Sequence, residues 1–306
     1  MKILITDGLS PDGVKILTDA GFQVDDVKLT PEELLQKIGE YDSIIVRSAT
    51  KVSKEVIEAG KNLKVIARGG VGVDNIDVEY AKSKNIPVLN TPMASAISVA
   101  ELAIGHMLAV CRFLNVSTME MRQGKWPKKE FSNGIELYEK TLGIIGLGTI
   151  GKEVARRALG LGMKVVAYDP LLAPMDFMVE ITSKEKLLAK ADFITLHLPM
   201  IKGSGPAIGK KELELMKTGV VLVNCARGGL IDEAALLDAL NSGKVAAAAL
   251  DVFENEPPTD AQKALINHPR VSVTPHVGGS TVEAQARVGT EIAHKVVKTL
   301  NLFSLN

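Results

Sequence analysis

Cysteine is scarce in this chain of 306 residues: only Cys111 and Cys225 are present. Two thiols far apart cannot make the disulfide framework of a small secreted fold, and neither stands in a His/Cys cluster that would hold zinc, so no metal is expected. Net charge is also lacking, because 36 Lys and Arg balance 36 Asp and Glu. That balance removes the electrostatic reason to expect nucleic acid or an anionic membrane as partner. No apolar run approaches the length of a membrane span. The opening MKILITDGLSPDG reads as a strand and a turn, without the apolar core and small-residue cleavage site of a signal peptide. A reducing cytoplasm is the expected setting.

Glycine is not scarce, and its placement organises the chain. From Lys140 to Asp169 the sequence reads strand, glycine turn, helix, strand. The apolar run Leu142 to Ile145 suits a strand buried on both faces, and it leads into Gly146, Gly148 and Gly151 at GxGxxG spacing. Each glycine has its own reason: a tight turn at Gly146, backbone approach to a pyrophosphate at Gly148, close helix–strand contact at Gly151. The helix that follows presents free N–H groups and the positive end of its dipole to phosphate. Asp169 ends the second strand 18 residues after Gly151, about where a carboxylate bonds an adenosine ribose. The same carboxylate would repel a 2′-phosphate, so NAD is expected rather than NADP.

Before this unit, strands and helices alternate from Ile3 to Leu89, which predicts a parallel sheet of about five strands. Ligands of such sheets sit beyond the carboxyl ends of the strands, which brings forward Arg47, Ser48 and the turn from Arg68 to Asn75. Arg47 has two readings, a substrate contact or a surface cation. From Ser95 to about Arg122 the pattern is that of one long helix, with Ile97, Glu101, Ile104, Leu108 and Cys111 on a largely apolar face. A helix this apolar must be covered, within its own domain or by a second subunit. Lys125, Lys128 and Lys129 follow it, either as a solvated loop or as phosphate contacts. After Asp169 the alternation resumes and brings the second sheet to about six strands. The last helix, Thr281 to Leu300, has no strand to lead to and is expected to return to the first domain.

Three late strands finish in the residue types that hydride transfer beside a carboxylate requires. NCARGG presents Arg227 as the cation, ALDVFENEP presents Asp251 and Glu256, and TPHVGGS presents His276 as the base, with Glu256 to tune it. Asp251 can bond a nicotinamide carboxamide or cap a turn. His106 and His197 read as packing or cofactor-lining residues.

GLGTIG, NCARGG, ALDVFENEP, TPHVGGST and VRSAT with GVDN together resemble the D-isomer-specific 2-hydroxyacid dehydrogenases, over essentially the whole chain. The resemblance implies an α/β protein of two Rossmann-like parallel-sheet domains. A discontinuous, flavodoxin-like substrate domain (1–93 with 285–306) would hold an inserted NAD domain (94–284). It implies Arg227, Glu256 and His276 as the catalytic set. It places Thr149, Ile150 and Asp169 near NAD with the glycines, and also Leu198 and Pro199, Cys225 and Ala226, and Asp251, Gly278 and Gly279. Arg47, Ser48, Gly70 and Val71 are implied around the substrate, together with Arg227 and His276. The implied reaction is the NAD-dependent oxidation of a phosphorylated 2-hydroxy acid, 3-phospho-D-glycerate, in serine biosynthesis, by a homodimer formed through the helix 95–122. Two alternatives stay open: reduction of glyoxylate or hydroxypyruvate on the same scaffold, and an NAD(H)-sensing binding role like that of the family's corepressors. The sequence departs from the pattern in four places. Met93 and Ala94 replace a polar pair, Leu171 to Ser183 looks short by part of an outer helix, and Lys202 to Gly209 is rich in Gly and Pro. The chain also stops at Asn306, where a regulatory domain is expected to be lacking.

Overall fold

The computed structural model describes residues 1–171, 179–201 and 203–304. Parts of two expectations, the shortened segment after Leu171 and the loop from Lys202, therefore lie outside the described residues. The chain forms two compact units, Met1–Ala96 with Gly279–Asn306, and Ile97–Gly278.

In the first unit the strands are β1 (Lys2–Ile5), β2 (Gln23–Asp26), β3 (Ser43–Val46), β4 (Val65–Arg68) and β5 (Val88–Leu89). They pair in parallel in the order β2-β1-β3-β4-β5, the flavodoxin-like arrangement. The helices between them start where the sequence signals a start. Ser10 caps α1 (Pro11–Asp19), Thr30 and Glu33 form a capping box on α2 (Pro31–Lys37), Ser53 precedes α3 (Lys54–Ala59), and Asp77 caps α4 (Val78–Ser83). Every residue of β3 is buried, as expected for a strand covered on both faces.

The second unit opens with a correction. The single helix expected from Ser95 to Arg122 is two helices, α5 (Ala96–Cys111) and α6 (Leu114–Arg122), bent by 62°. Phe113 stands between them with φ 55, a left-handed conformation that breaks the helical ladder. The expected face also divides: Ile104 and Cys111 are buried with Ala100, Ala103 and Met107, while Ile97, Glu101 and Leu108 face outward. No single helix among the described residues is long and apolar enough to cross a membrane.

The second sheet contains β6 (Thr141–Ile145), β7 (Lys164–Tyr168), β8 (Glu180–Ile181), β9 (Phe193–Leu196), β10 (Val220–Asn224), β11 (Val245–Leu250) and β12 (Val271–Val273). Its order is β12-β11-β10-β9-β6-β7-β8, all parallel. Seven strands replace the six expected because β8 is an exposed two-residue edge strand, Glu180–Ile181, with no apolar run to reveal it. The order reverses between β6 and β9, so a ligand crevice lies outside the ends of those two strands. Covering helices are α7 (Thr149–Gly160), α8 (Lys184–Lys190), α9 (Lys210–Leu215), α10 (Glu233–Ser242) and the short α11 (Lys263–Ile266). The last helix, α12 (Val282–Ser304), belongs to the first unit. There Ile292, Ala293, Val296 and Leu300 are buried with Leu17 and β1 residues Ile3 and Ile5. Gly13 and Gly289 allow α1 and α12 to approach closely, since a Cβ on Gly13 would lie 2.7 Å from the Gly289 carbonyl oxygen.

Candidate active site

The glycine turn joins β6 to α7 at the crevice. Gly146 adopts φ 96, and a Cβ there would lie 2.5 Å from the His197 carbonyl oxygen at the end of β9. A Cβ on Gly151 would lie 2.2 Å from the Gly146 oxygen, so helix and strand need glycine to meet. Gly148 differs: it is exposed, caps α7 with no side-chain hydrogen bond, and a Cβ on it would meet nothing within 4 Å. Glycine at 148 is therefore not required by the protein's own contacts. The space over it, beside the free N–H groups of Thr149 and Ile150, fits the pyrophosphate of a dinucleotide. Gly148→Ala is accordingly expected to keep the wild-type melting temperature yet weaken NAD binding about tenfold or more, whereas Gly151→Ala should lose about 1–3 kcal/mol of stability through overpacking. Equal NAD affinity in Gly148→Ala and wild type, by calorimetry, would remove the pyrophosphate from this position.

Asp169 follows β7, and its carboxylate accepts from the Leu147 N–H at 2.6 Å and the Leu171 N–H at 2.7 Å. It thus holds the glycine turn and keeps lone pairs for a ribose, since a carboxylate has about four acceptor sites. His197 is bonded through Nε2 to Thr195 at 2.9 Å, and burial pushes its pKa down to about 3, so the ring is neutral beside the crevice. Leu198 is half-buried and Pro199 exposed on the same strand end.

The loops after β10, β11 and β12 carry the polar set. Asn224 shapes the first: its Nδ2 donates to the Arg227 carbonyl at 2.8 Å, and its Oδ1 accepts from the Ala226 N–H at 3.0 Å. This turn places the half-buried Arg227 outward while Cys225 and Ala226 stay buried. Burial pushes the Cys225 thiol up, with the Asp251 charge adding to it, so it is an inert apolar residue. Glu256 Oε2 lies 2.6 Å from His276 Nδ1, and Glu256 Oε1 accepts from the Phe253 N–H at 3.1 Å. Burial raises the Glu256 pKa, but the His276 hydrogen bond and charge, the Phe253 N–H and the nearby Arg227 together hold it below its ordinary value. Both side chains are more than a third exposed, 46% and 37%, so the pair contributes little to stability and its value is orientation.

His276 has φ 53, an unusual backbone conformation for a residue with a side chain. Asp251, 1% exposed, holds that turn: its carbonyl accepts from the His276 N–H at 2.8 Å, and its carboxylate accepts from the N–H groups of Val277 and Gly278, both at 2.8 Å. Gly279 belongs to the other unit, beside Ser95.

In the first unit, Arg47, Ser48 and Thr50 follow β3. The Asp7 carboxylate accepts from the Arg47 N–H (2.7 Å), the Thr50 N–H (3.1 Å) and the Thr50 hydroxyl (2.6 Å). Asn75 Nδ2 donates to the carbonyls of Arg47 (2.8 Å) and Thr50 (2.6 Å). Partial burial pulls the Arg47 guanidinium below its ordinary value and Asp7 opposes the shift, and arginine stays charged throughout. Gly70 and Val71 follow β4; Gly70 O accepts from the Thr91 N–H and Val71 O from Asn90 Nδ2. At the Met93–Ala94 departure, Met93 is exposed and the Ala94 carbonyl accepts from Arg287 Nε. Sequence reasoning missed Asp7, Asn224 and Thr274, although the last two lie inside quoted motifs, because a residue that holds a turn has no signature of its own.

Residues 104–278 match the model of the D-isomer-specific 2-hydroxyacid dehydrogenase NAD-binding domain. The chain is 49% identical over 303 residues to hydroxypyruvate reductase of Thermotoga maritima, covering 98% of this chain and 99% of that one. It is 50% identical over 304 residues to D-3-phosphoglycerate dehydrogenase of Methanocaldococcus jannaschii, covering 98% of this chain and 57% of that enzyme's length. Among solved structures, D-lactate dehydrogenase from Aquifex aeolicus, complexed with NAD and lactic acid, superposes with TM-score 0.83 at 30% identity, over 99% of this chain and 96% of that one. This chain belongs to the D-isomer-specific 2-hydroxyacid dehydrogenases, and it is an NAD-linked oxidoreductase.

Proposed function

We propose that this protein is a 3-phosphoglycerate dehydrogenase, interconverting 3-phospho-D-glycerate and 3-phosphohydroxypyruvate in serine biosynthesis. The observation that carries the chemistry is the 2.6 Å contact between His276 and Glu256, with Arg227 close enough to help hold Glu256 ionised. Bound NAD supplies the hydride acceptor. In the alcohol-oxidising direction His276 Nε2 takes the hydroxyl proton, while Nδ1–H donates to Glu256, which fixes the tautomer and supports the charge that forms. Arg227 binds the substrate carboxylate as a planar, bidentate donor. In the reducing direction the same nitrogen returns the proton to the 2-oxo oxygen.

The phosphate is assigned to Arg47, whose loop is held by Asp7 and Asn75, with Lys125, Lys128 and Lys129 as further candidates. Losing one charge-assisted contact costs about 1.5–3 kcal/mol, so Arg47→Ala should reduce kcat/KM for 3-phosphohydroxypyruvate far more than for hydroxypyruvate. The test is a panel of 2-oxo acids assayed by NADH oxidation with both proteins. Equal losses on the two acids would assign Arg47 to the common carboxylate end or to the fold. Hydroxypyruvate or glyoxylate reduction is the second reading, favoured by the 49% identity to the Thermotoga hydroxypyruvate reductase. It is supported if unphosphorylated acids turn over best. No turnover of any acid would leave an NAD(H)-sensing role.

A cytoplasmic homodimer through α5 and α6 completes the proposal. Leu114, Met119 and Met121 on α6 and Trp126 after it are exposed at 50%, 60%, 49% and 76%, a run of apolar side chains that a partner would cover. Sedimentation should give a dimer at micromolar concentration, and a stable monomer there would refute it. Two free buried thiols suit a reducing compartment.

A further inference from the structure

Behind His276, a line of polar side chains runs from the exposed Asn115 on α6 through the buried Ser272, His106 on α5 and the half-buried Thr274 to Asp251 at the catalytic turn, and the proposed reaction uses none of its first four members. Asn115 Nδ2 donates to Ser272 Oγ at 2.7 Å, and Ser272 Oγ lies 2.9 Å from His106 Nδ1. His106 Nε2 lies 3.0 Å from Thr274 Oγ1, which donates to Asp251 Oδ1 at 2.6 Å. His106, Ser272 and Asp251 are 4%, 3% and 1% exposed, so water does not serve these groups.

The number of protons available settles the direction of every bond. An ionised carboxylate only accepts, so the one proton of the Thr274 hydroxyl goes to Asp251. Thr274 then meets His106 with a lone pair, and the proton between them must come from Nε2. Burial holds the His106 ring below its ordinary pKa against the opposing charge of Asp251, so the ring carries a single proton. Nδ1 is therefore an acceptor, filled by the Ser272 hydroxyl, and Ser272 accepts in turn from Asn115. All donors point the same way, from Asn115 to Asp251.

We propose that His106, as its neutral Nε2–H tautomer, is a positioning residue that turns the Thr274 hydroxyl onto Asp251 and so holds the turn carrying His276. With the proton on Nδ1 instead, Thr274 would have to donate to Nε2 and Asp251 would lose that donor. Asp251 is bonded to three successive residues, His276, Val277 and Gly278, and His276 sits in a left-handed conformation. Slackening at Asp251 is thus passed directly to the proton-transferring ring. The inference rests on the reading that His276 transfers the proton.

The first test is independent of catalysis: nitrogen-15 NMR of the full-length protein labelled at histidine, with His106→Gln to assign the ring. A neutral ring protonated at Nε2 at neutral pH is expected, and an Nδ1–H ring or an imidazolium overturns the proposal. The second compares variants. His106→Leu should lower kcat for 2-oxo acid reduction about tenfold per folded site, the scale of one hydrogen bond to a charged group. His106→Gln, whose amide can donate to Thr274 and accept from Ser272, should recover most of it. A lower melting temperature with unchanged kcat in His106→Leu would make the residue merely structural and overturn the positioning role. If wild type reduces no 2-oxo acid, the functional reading fails while the tautomer result still stands or falls on its own.

Discussion

His276→Ala should lower kcat by about 10²–10⁴ in both directions across the pH range, the contribution typical of a positioned proton donor and acceptor. Circular dichroism and melting temperature should be unchanged, because the His276 side chain is 46% exposed and, among the described residues, bonds only to Glu256. Glu256→Gln separates the two members of the pair. Glu256 is held below its ordinary carboxylate value of 4.5, so it is charged throughout the neutral range and supports the charge that forms on the ring when it takes the hydroxyl proton. Removing that charge while keeping much of the shape should lower kcat for alcohol oxidation by about tenfold or more, the scale of one hydrogen bond to a charged group. An unchanged kcat in Glu256→Gln would mean that Glu256 orients the ring without supporting its charge. The same carboxylate links stability to pH. A carboxylate with a depressed native pKa stabilises the fold above its unfolded value near 4.5, and that contribution is lost as pH falls through the native value. With both groups more than a third exposed, the contribution is small.

Gly228→Ala is expected to have the second-largest effect, although the residue touches no substrate. A Cβ at 228 would lie 1.7 Å from the Phe253 carbonyl oxygen and 2.3 Å from its carbon, both backbone atoms that cannot swing away. The loop after β10 and the loop after β11 would have to separate, and these carry Arg227 on one side and Glu256 on the other. A misplacement of about 1 Å at reacting groups can cost about 10²-fold, so kcat/KM should fall by at least that factor. Stability should fall with it, by about 1–3 kcal/mol, as for other overpacked sites. The two losses are separable, since kcat measured well below the melting temperature reports only the folded fraction. A variant with kcat/KM within twofold of wild type would show that the loops can part without disturbing the pair.

Much of this protein is determined locally and is legible in the sequence. Strands buried on both faces are continuous apolar runs, and helix starts are written in Ser10, Thr30, Asp77 and Asp232, whose side chains cap the helices they precede. The glycine turn and its acid are legible because phosphate and ribose recognition needs those residue types at fixed spacing. His276, Glu256 and Arg227 stand out as polar residues just past apolar strands. Tertiary structure decided the rest, for reasons that spacing cannot carry. The expected long helix breaks at Phe113 because that residue adopts a left-handed conformation, which nothing in its local sequence demands. The edge strand Glu180–Ile181 exists only through its pairing with β7. Asp7 and Asn75 hold the Arg47 loop from 40 and 28 residues away, and His106 reaches Thr274 across 168, so their partners are set by how strands and helices come together in space.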